Sequence, residues 1–521
     1  MIFEIKKIFM SKKEKFYLTT AIPYANASPH IGFALELLYA DVMARYQNLL
    51  GKDVYFLTGT DVHGQKMLKT AKEKGISVED FAAQNSAEFE NLADQWNIIN
   101  NDFIRTNEPR HMAGAQEFWK AAEKSGDIYK KKYSGLYCVG CEAFKTEKDL
   151  VDGKCSDHNK EPELLEEENY FFKLSKYQEP LEFLFEKNKN FVYPESRYNE
   201  MHNVLKSGLN DVSISRSKDK LPWGIPVPGD ETQVMYVWFD ALTNYVTALG
   251  YSEDEKLLKK YWPADAHIIG KEINRFHSLL WPAMLMSAGL ELPKTIAVHG
   301  WMTVDGQKMS KSIGNVINPL EIITRYPLES VRYFLMREIP FDNDGDYSDA
   351  KFKERFNADL ANGLGNLTNR VLSMVVKYCD GKVPQVEEKN DELIKYLSDE
   401  IWPTYRKFMD VWRFDRALET VSKFITYCDQ MISDQKPWTR AKEGKMSEVS
   451  DLLYHLCESL RHIAVMIYPV MPETSEKILI QLGLDPAKEN AKSLDKLQTW
   501  VELTVGNKIG ELQPLFPRLE K

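Results

Sequence analysis

The chain has 521 residues, of which 43% are apolar and 28% are charged, and its formal net charge is −10. This balance is typical of a globular protein of several domains and excludes a fibrous or low-complexity chain. No apolar run reaches the roughly 18 residues of a membrane span, and residues 1–9 are too short and too charged for a secretory signal, so we predict a cytoplasmic protein without a membrane partner.

The first predicted elements alternate between strand and helix. After a first strand, residues 29–33 (PHIGF) open an amphipathic helix. A helix N-terminus binds phosphate through its free N–H groups and its dipole, so His30 and Gly32 are candidate anion-binding residues. A second strand, residues 54–57, leads to Asp61, and open parallel sheets bind ligands at the carboxyl ends of their strands. We therefore predict a nucleotide-binding β-α-β unit.

Residues 116–225 interrupt this rhythm and carry a cluster of cysteines. Cys138 and Cys141 are followed, after thirteen residues, by Cys155 and His158. Two-residue spacing lets both side chains of a pair bind one tetrahedral Zn²⁺, and four protein ligands leave no position for a reactive water. The spacing predicts one structural zinc ion, with two pairs of unligated side chains as the alternative.

Strand patterns resume after this insertion, in residues 233–238, 266–270 and 295–298. They complete the pattern of a parallel sheet whose two halves are separated in the sequence by the cysteine-bearing segment.

A lysine-rich loop follows the last of these strands. Residues 308–312 (KMSKS) set Lys308 and Lys311 three residues apart, with a glycine on either side, and such a loop can close over a polyanion. A solvated surface loop is the alternative for this stretch taken alone. Together with the helix start at His30, the two lysines predict a pair of phosphate-binding elements.

The pattern becomes helical from about residue 350 to 490, and residues 495–521 are short and partly extended. We predict an α-helical bundle with a tail packed on the body. The fold class is therefore α/β, a Rossmann-type parallel sheet split by a zinc-bearing insertion and followed by a helical bundle. The predicted boundaries are residues 1–115 and 229–300 for the two halves of the Rossmann domain, 116–228 for the insertion, 301–350 for the lysine loop and its continuation, and 351–521 for the helical domain.

The elements that begin at His30 and Lys308 resemble the signature pair of class I aminoacyl-tRNA synthetases. Over nearly its whole length the chain resembles the methionyl-tRNA synthetases. One departure is Phe33, where members of the family commonly carry a second histidine, so one imidazole donor is missing. The stretches that carry the resemblance are residues 21–26 (AIPYAN), 223–228 (WGIPVP), 236–241 (YVWFDA), 270–273 (GKEI), 276–277 (FH), 281–282 (WP), 357–360 (NADL), 366–370 (NLTNR) and 436–438 (KPW).

The resemblance implies a methionine–tRNA ligase whose partners are methionine, ATP with Mg²⁺, and tRNA(Met), and which holds one structural zinc ion. Aromatic rings suit the polarizable sulfur of methionine, although Trp238 and Tyr245 taken singly are equally typical of a protein core. The implied ATP-binding residues are His30, Gly32, Lys308, Ser310 and Lys311, of which His30, Lys308 and Lys311 are catalytic. The implied methionine-binding residues are Ile22, Tyr24, Asp61, Trp238, Ala241, Leu242, Tyr245, Ile273 and His277.

The resemblance also implies anticodon contacts at Asn366, Arg370 and Trp438. Amide, guanidinium and indole groups can pair with or stack on unstacked bases, and residues four apart share one helix face. An interhelical polar contact and a core tryptophan are the alternatives. The acidic net charge and the lack of an appended RNA-binding domain after Pro517 predict modest, salt-sensitive binding of tRNA and a monomer.

In the predicted reaction the methionine carboxylate attacks the α-phosphorus of ATP, pyrophosphate leaves, and the terminal ribose hydroxyl of tRNA then attacks the adenylate. The nucleophile is already ionised, so catalysis depends on positioning and on stabilising phosphate charge. Two other functions stay open: a nucleotidyltransferase of related fold, and a non-catalytic RNA-binding paralogue, for which Phe33 is the only support.

Overall fold

The computed structural model describes residues 13–138, 143–145, 150–156, 159–309, 314–500 and 503–519. Four predicted site residues, Cys141, His158, Ser310 and Lys311, lie outside the described residues. Every helix in the described ranges is too short or too polar to cross a membrane.

A six-stranded parallel sheet organises the N-terminal part of the chain. Strand Lys15–Thr20 pairs with Asp53–Thr60 on one side and with Ala266–Gly270 on the other. The chain winds outwards in opposite directions from this first strand, and such a reversal opens a crevice at the carboxyl ends of the two strands that flank it. From edge to edge the strands are Asp102–Arg105, Asp53–Thr60, Lys15–Thr20, Ala266–Gly270, Ile296–His299 and Val192–Tyr193.

The crossovers between these strands are helical, as the alternating pattern predicts. The parallel sheet followed by a helical region confirms the predicted fold class. The helices of the sheet region are Ile31–Leu49, Gln65–Lys74, Val78–Gln95, Pro109–Lys124, Val237–Leu242, Asn244–Thr247, Lys256–Tyr261, a π-helix Phe276–Leu280, Trp281–Ala288, Pro319–Arg325 and Leu328–Glu338, with a short 3₁₀ turn at Lys271–Ile273.

Helix Ile31–Leu49 is buried on nearly all sides, although its sequence predicts an amphipathic helix. It is covered by the helical part of the chain as well as by the sheet, and Tyr39 stacks on Phe414 with ring centroids 6.0 Å apart. Its charged residues are paired inside the structure, for example Asp41 with the fully buried Arg332. The predicted polar face therefore lies at an interior boundary between the two parts of the chain.

The strand predicted at residues 233–238 is correct only in its first half. Strand Asp230–Met235 belongs to a separate antiparallel sheet, and Val237–Leu242 is a helix. The N–H groups of Phe239 and Asp240 donate to the Tyr236 carbonyl at 2.9 and 3.0 Å, which begins the helical turn. A short buried apolar run has the same pattern in either conformation, so its periodicity does not decide between them.

Apart from Val192–Tyr193, which is an edge strand of the parallel sheet, the strands of the predicted insertion are antiparallel. Its main sheet orders Val212–Ser213, Glu163–Phe172, Ile128–Cys138 and Ala143–Lys145 from edge to edge. Its remaining elements are the strand pair Leu150–Val151 and Lys154–Cys155, the 3₁₀ helix Leu174–Tyr177, helices Gln178–Lys187 and Glu195–Lys206, and the sheet of Ser215–Ser217, Asp230–Met235 and Pro226–Val227.

The C-terminal part is a helical bundle, as predicted, preceded by a sheet of Gln307–Lys308, Met302–Val304 and Gly345–Tyr347. The tail packs back on it, since the N–H of Val383 donates to the Asn507 carbonyl at 2.8 Å and Phe516 contacts Phe356 edge to face. The helices are Asp349–Arg355, Phe356–Gly365, Asn366–Tyr378, Asp391–Lys395, Tyr396–Ile401, Trp402–Asp410, Phe414–Gln435, Pro437–Lys442, Met446–Ile467, Pro472–Gln481, Pro486–Asn490 and Leu494–Leu497.

Candidate active site

The start of helix Ile31–Leu49 lies next to the lysine loop and to the residues that follow it. The Ile31 N–H donates to the Ile317 carbonyl at 3.1 Å. On the other side of the loop, a Cβ atom placed on Gly32 would lie 3.6 Å from the terminal methyl of Met309. The two segments singled out from the sequence are therefore neighbours in the fold, although 278 residues separate His30 from Lys308.

The N–H groups in the first turn of this helix already have partners. His30 is the N-cap, and its Nδ1 accepts the Gly32 N–H at 3.1 Å, while its carbonyl accepts the N–H groups of Phe33 and Ala34. The prediction that these N–H groups are free to bind an anion is therefore wrong. An anion can engage the Gly32 N–H only by displacing the imidazole, so the exposed His30 side chain and the anion compete for one position.

Phe33 packs inwards. Its ring is 8% exposed and contacts Phe89 edge to face, with centroids 5.0 Å apart. The departure from the familiar signature therefore fills part of the core next to the helix start.

Lys308 lies at the rim of the crevice on the indole of Trp301. Its Nζ is 4.1 Å from the ring centroid, and the Nζ of Lys271 is 4.0 Å from the same centroid. Lys271 directly follows strand Ala266–Gly270, which places this cluster at the carboxyl edge of the sheet. Trp301 is held by Glu272, which accepts its indole N–H at 2.9 Å. Sequence reasoning missed Trp301, and its position seven residues before Lys308 carries no local signal.

Asp61 lies directly beyond strand Asp53–Thr60, as predicted, and is 6% exposed. Its Oδ1 accepts the backbone N–H of His63 at 3.2 Å and the hydroxyl of Thr106 at 3.3 Å. Its backbone forms a parallel bridge with Tyr24. The structure therefore brings a buried carboxylate beside a half-buried tyrosine at the edge of the crevice.

Trp238 begins the other wall of the site. It stacks face to face on Phe276, with centroids 3.9 Å apart and planes 7° apart, and its edge faces His277 at 6.5 Å. Trp238 is half-buried, and so are Ile22, Tyr24, Ile273 and Phe276. Ile22 and Tyr24 follow strand Lys15–Thr20, and Ile273 and Phe276 follow the neighbouring strand Ala266–Gly270, so these side chains lie at the same edge of the sheet. The sequence offers no reason to place Phe276 in the pocket. Its stacking on Trp238 is evident only from the structure.

A buried tyrosine–histidine pair closes the inner end of this wall. The ring Nδ1 of His277 contacts the Ile273 carbonyl at 3.1 Å, and its Nε2 contacts the Tyr245 hydroxyl at 2.8 Å. A carbonyl oxygen only accepts, so Nδ1 carries the proton and Nε2 accepts from Tyr245. Burial lowers the pKa of His277 to about 4, and the imidazole is therefore neutral at pH 7.

Of the other predicted pocket residues, Ala241 and Leu242 are 6% and 1% exposed and belong to the helix that carries Trp238. Tyr245 is 1% exposed and also stacks on His267, so it is part of the core as well as a partner of His277. A core role for Tyr245 is therefore confirmed, and its contact with methionine stays a prediction.

A second buried pair, which the sequence does not reveal, lies behind helix Ile31–Leu49, called the signature helix below. Glu36 accepts the Ala21 N–H at 2.9 Å and contacts Nε2 of His299 at 2.9 Å. Burial raises the pKa of Glu36. Burial opposes a charged His299, yet its hydrogen bond to Glu36 raises the pKa of that histidine. The pair joins the signature helix to the carboxyl ends of strands Lys15–Thr20 and Ile296–His299.

Two of the predicted zinc ligands, Cys138 and Cys155, are described. Both thiols are buried, 3% and 1% exposed. Cys155 begins a closed loop, because its N–H donates to the Lys160 carbonyl at 2.9 Å and its carbonyl accepts the Asn159 N–H at 2.8 Å. His158 lies within this loop in the sequence. Among the described residues, no group of three or more His, Cys, Asp or Glu side chains is arranged so that it could hold a metal ion.

The predicted anticodon residues lie on two helices of the bundle, Asn366–Tyr378 and Pro437–Lys442, which both pack on helix Met446–Ile467. Asn366 is exposed at the start of helix Asn366–Tyr378, one turn before Arg370. Arg370 pairs with Asp429 at 2.5 Å, so the interhelical polar contact considered for it exists. Trp438 is 41% exposed, and a core role for it is wrong.

Comparisons with known proteins identify relatives of this chain. A family model described as tRNA synthetases class I (M) matches residues 16–159 and 145–372, and one described as the anticodon-binding domain of tRNA ligase matches residues 397–508. The methionine–tRNA ligase of Brucella suis is 46% identical over 512 residues, which cover 97% of this chain and 98% of the relative. That of Thermotoga maritima is 43% identical over 514 residues, covering 97% and 80%.

Solved structures agree. The Mycobacterium tuberculosis methionyl-tRNA synthetase in complex with methionyl-adenylate superposes with a TM-score of 0.92 at 41% identity, covering 97% of this chain and all of the other. The free state of that enzyme superposes with a TM-score of 0.86 at 39% identity, covering 98% and 99%.

Proposed function

The chain belongs to the class I methionyl-tRNA synthetases, and we propose how its own residues activate methionine with ATP and transfer it to tRNA. The observation that carries the proposal is that the start of the signature helix lies against the lysine-loop segment: the Ile31 N–H donates to the Ile317 carbonyl, and a Cβ atom placed on Gly32 would lie 3.6 Å from the terminal methyl of Met309. This contact lies at the carboxyl edge of the sheet, beside Asp61 and the aromatic wall of Trp238.

We assign the phosphates of MgATP to the corner formed by the helix start and the loop. His30 occupies the Gly32 N–H at 3.1 Å, and its exposed ring can turn towards an incoming phosphate and release that N–H. Lys308 rests on the Trp301 indole, an interaction of about 0.5–1 kcal/mol at an exposed site. A phosphate would attract this ammonium more strongly than the ring does. Lys311 and Ser310 are assigned to the same corner from their places in the loop.

We assign methionine to the slot between Asp61 and Trp238. The carboxylate of Asp61 would hold the α-ammonium, and the half-buried apolar rings would hold the thioether. The neutral His277 and the Tyr245 hydroxyl satisfy each other, so the inner end of the slot presents no unpaired charge to the sulfur. The substrate carboxylate is ionised at pH 7 and attacks the α-phosphorus without a general base, so these residues act by positioning and by stabilising charge.

Pyrophosphate exchange with ATP, measured with each amino acid in turn, tests the function. We expect exchange with methionine alone. Exchange independent of every amino acid would favour a nucleotidyltransferase of related fold, and no exchange at all would favour a non-catalytic RNA-binding protein.

We assign anticodon binding to the exposed surface of Asn366, Arg370 and Trp438. Stacking of a base on an aromatic ring is worth about 1–3 kcal/mol by alanine substitution. Trp438→Ala should therefore raise the KM for tRNA about 5- to 150-fold and leave pyrophosphate exchange unchanged. Aminoacylation kinetics at one fixed salt concentration measure this, since salt alone shifts such affinities.

The matched control is Trp500→Ala, which removes an indole from the same domain. Trp500 stacks on the buried His462 with centroids 5.4 Å apart, so its loss should lower the unfolding midpoint without a selective effect on tRNA. Equal changes in the KM for tRNA in both variants would contradict the assignment of Trp438.

We propose that Cys138, Cys141, Cys155 and His158 hold one zinc ion. The two described cysteines fit this role, because both thiols are buried, and the closed loop after Cys155 brings the chain back within five residues. A zinc ion there would supply a fixed tetrahedral crosslink and no chemistry. Residues 128–172 would then depend on the metal for their order.

Cys155→Ser should lower the zinc content from about one ion per chain to near zero and expose the insertion to proteolysis, because structural zinc sites contribute folding free energy directly. Metal analysis and limited proteolysis measure the two effects. Cys428→Ser, at a buried thiol in the helical bundle, is the control and should keep the metal. Full metal content or an equally protected insertion in Cys155→Ser would overturn the proposed site.

We also propose the domain boundaries given above; the first family model ends at residue 372 and the second begins at residue 397, both after the proposed start of the helical domain at residue 351. The five described cysteines are not joined in disulfides, which suits a reducing compartment such as the cytoplasm. The monomeric state stays a prediction.

A further inference from the structure

We propose that Asp240 is a positioning residue, which fastens the turn carrying Asp61 to the pocket helix Val237–Leu242 and so sets the place of the methionine ammonium group. The inference rests on the proposed role of Asp61. It concerns a cluster of four buried residues that the reaction itself does not use, Asp240, His63, His111 and Thr247.

Asp240 is fully buried and is shared by two histidines. Its Oδ2 lies 2.7 Å from Nδ1 of His63, and its Oδ1 lies 2.8 Å from Nε2 of His111. A carboxylate only accepts, so both of these ring nitrogens carry protons. Burial opposes the charge of Asp240, yet His63 and His111 hold the pKa of its carboxyl below the ordinary value. The cluster is therefore an ionised carboxylate with two N–H donors.

His63 connects this carboxylate to the methionine site. Its backbone N–H donates to Oδ1 of Asp61 at 3.2 Å, while its ring reaches Asp240. Asp240 in turn lies two residues after Trp238 in the same helix. One residue thus joins the proposed ammonium acceptor to the helix that carries the aromatic wall.

His111 anchors the other side of the carboxylate to helix Pro109–Lys124. Its Nδ1 contacts the Thr247 hydroxyl at 2.9 Å. The helix can approach so closely because Gly114 has no side chain, since a Cβ atom there would lie 2.6 Å from Cγ2 of Thr247. Thr247 and His111 therefore hold Asp240 from the side opposite to His63.

The flanks of His63 restrict the turn further. Its ring contacts Trp223 edge to face at 5.3 Å, and the Trp223 indole donates to the Val62 carbonyl at 2.5 Å. The turn around Asp61 is consequently fixed by its neighbours on both sides, and Asp240 supplies the only ionised contact among the described residues that touch the His63 side chain.

Asp240→Asn tests the proposal with almost no change in volume. An amide presents one acceptor and one donor, so one of the two histidine N–H groups loses its partner and faces another N–H. We expect the KM for methionine in pyrophosphate exchange to rise about 10- to 100-fold. The kcat and the KM for ATP should stay within about threefold, because the phosphate corner is built from other segments.

A methionine analogue without the α-amino group gives the readout that a general structural defect would not produce. It occupies the apolar slot without using Asp61, so its inhibition constant should be the same for wild type and Asp240→Asn within about twofold. Glu458→Gln is the matched control, because Glu458 is a fully buried carboxylate paired with Arg461 in the helical bundle. It should lower the unfolding midpoint and leave the KM for methionine unchanged.

An unchanged KM for methionine in Asp240→Asn would overturn the proposal. So would parallel changes in kcat, in the KM for ATP and in binding of the analogue, or the same kinetic change in Glu458→Gln. If Asp240→Asn does not fold, His111→Gln tests the proposal instead. This variant keeps the contact between His63 and Asp240 and should raise the KM for methionine about threefold. Wild-type protein without methionine-dependent exchange would instead refute the proposed function, and this inference with it.

Discussion

Asp61→Asn is expected to raise the KM for methionine in pyrophosphate exchange by about 100-fold or more, with little change in the KM for ATP. Truncating one partner of a buried charge pair costs about 2–5 kcal/mol, and each 1.4 kcal/mol is about tenfold in affinity. Asp61 is 6% exposed, so water compensates poorly for the lost charge. The amide oxygen of asparagine can still accept the His63 N–H and the Thr106 hydroxyl, which preserves the turn.

Asp102→Asn is the matched control for this variant. Asp102 is the first residue of the edge strand Asp102–Arg105, at the end of the sheet away from the crevice, and it pairs with Arg110 at 2.7 and 2.9 Å. The change should affect stability alone. An Asp61→Asn enzyme with a KM for methionine within a few fold of wild type would remove the carboxylate from the binding site and leave the aromatic wall as the sole recognition element.

Some of this site could be predicted because its causes are local. Asp61 follows a run of strand-forming residues, and a residue in that place lies at the carboxyl end of a strand whatever the rest of the chain does. His30 precedes an apolar helical repeat after a proline, the sequence context of a helix N-cap, and the structure places it there.

The Asp240 cluster could not be predicted because its causes are not local. Asp240 meets His63 across 177 residues and His111 across 129 residues. Asp240 lies two residues beyond the strand predicted at residues 233–238, and instead helix Val237–Leu242 carries its side chain to both histidines. A single polar residue in a buried apolar run signals a partner, but the run does not reveal which one.

The prediction for the signature helix was incomplete for a different reason. Its apolar spacing predicts a helix correctly, but the spacing cannot say how many neighbours cover it. Asp41 and Arg45 look like a solvated pair four residues apart, and the structure buries both because Arg332 reaches the same carboxylate from another helix. Polar residues that pair across distant segments therefore make an interior surface look exposed in the sequence.

Lys311→Ala is expected to slow methionyl-adenylate formation about 10²- to 10³-fold, with a small change in methionine affinity. Removing one preorganised donor from a site of developing charge costs about 2.7–4 kcal/mol in the transition state. The Met309 side chain lies close to the start of the signature helix, and the Ile317 carbonyl accepts the Ile31 N–H. Lys311 is two residues from Met309, and two residues span at most about 7 Å of chain, so its ammonium group is within reach of phosphates bound at that helix start.

Single-turnover measurement of adenylate formation separates this effect from product release. The control is Lys351→Ala, which removes another lysine ammonium group. Lys351 is half-exposed and pairs with Asp346 at 3.1 Å, and Asp346 lies in a strand beside the one that leads towards the loop. If net charge near the crevice were sufficient, both variants would lose a similar fraction of the rate, and that fraction would shrink as salt is added. A loss of rate that occurs only in Lys311→Ala and does not change with salt would show that this ammonium group acts from a defined position. A wild-type rate in Lys311→Ala would leave the phosphate charge to Lys308 and His30.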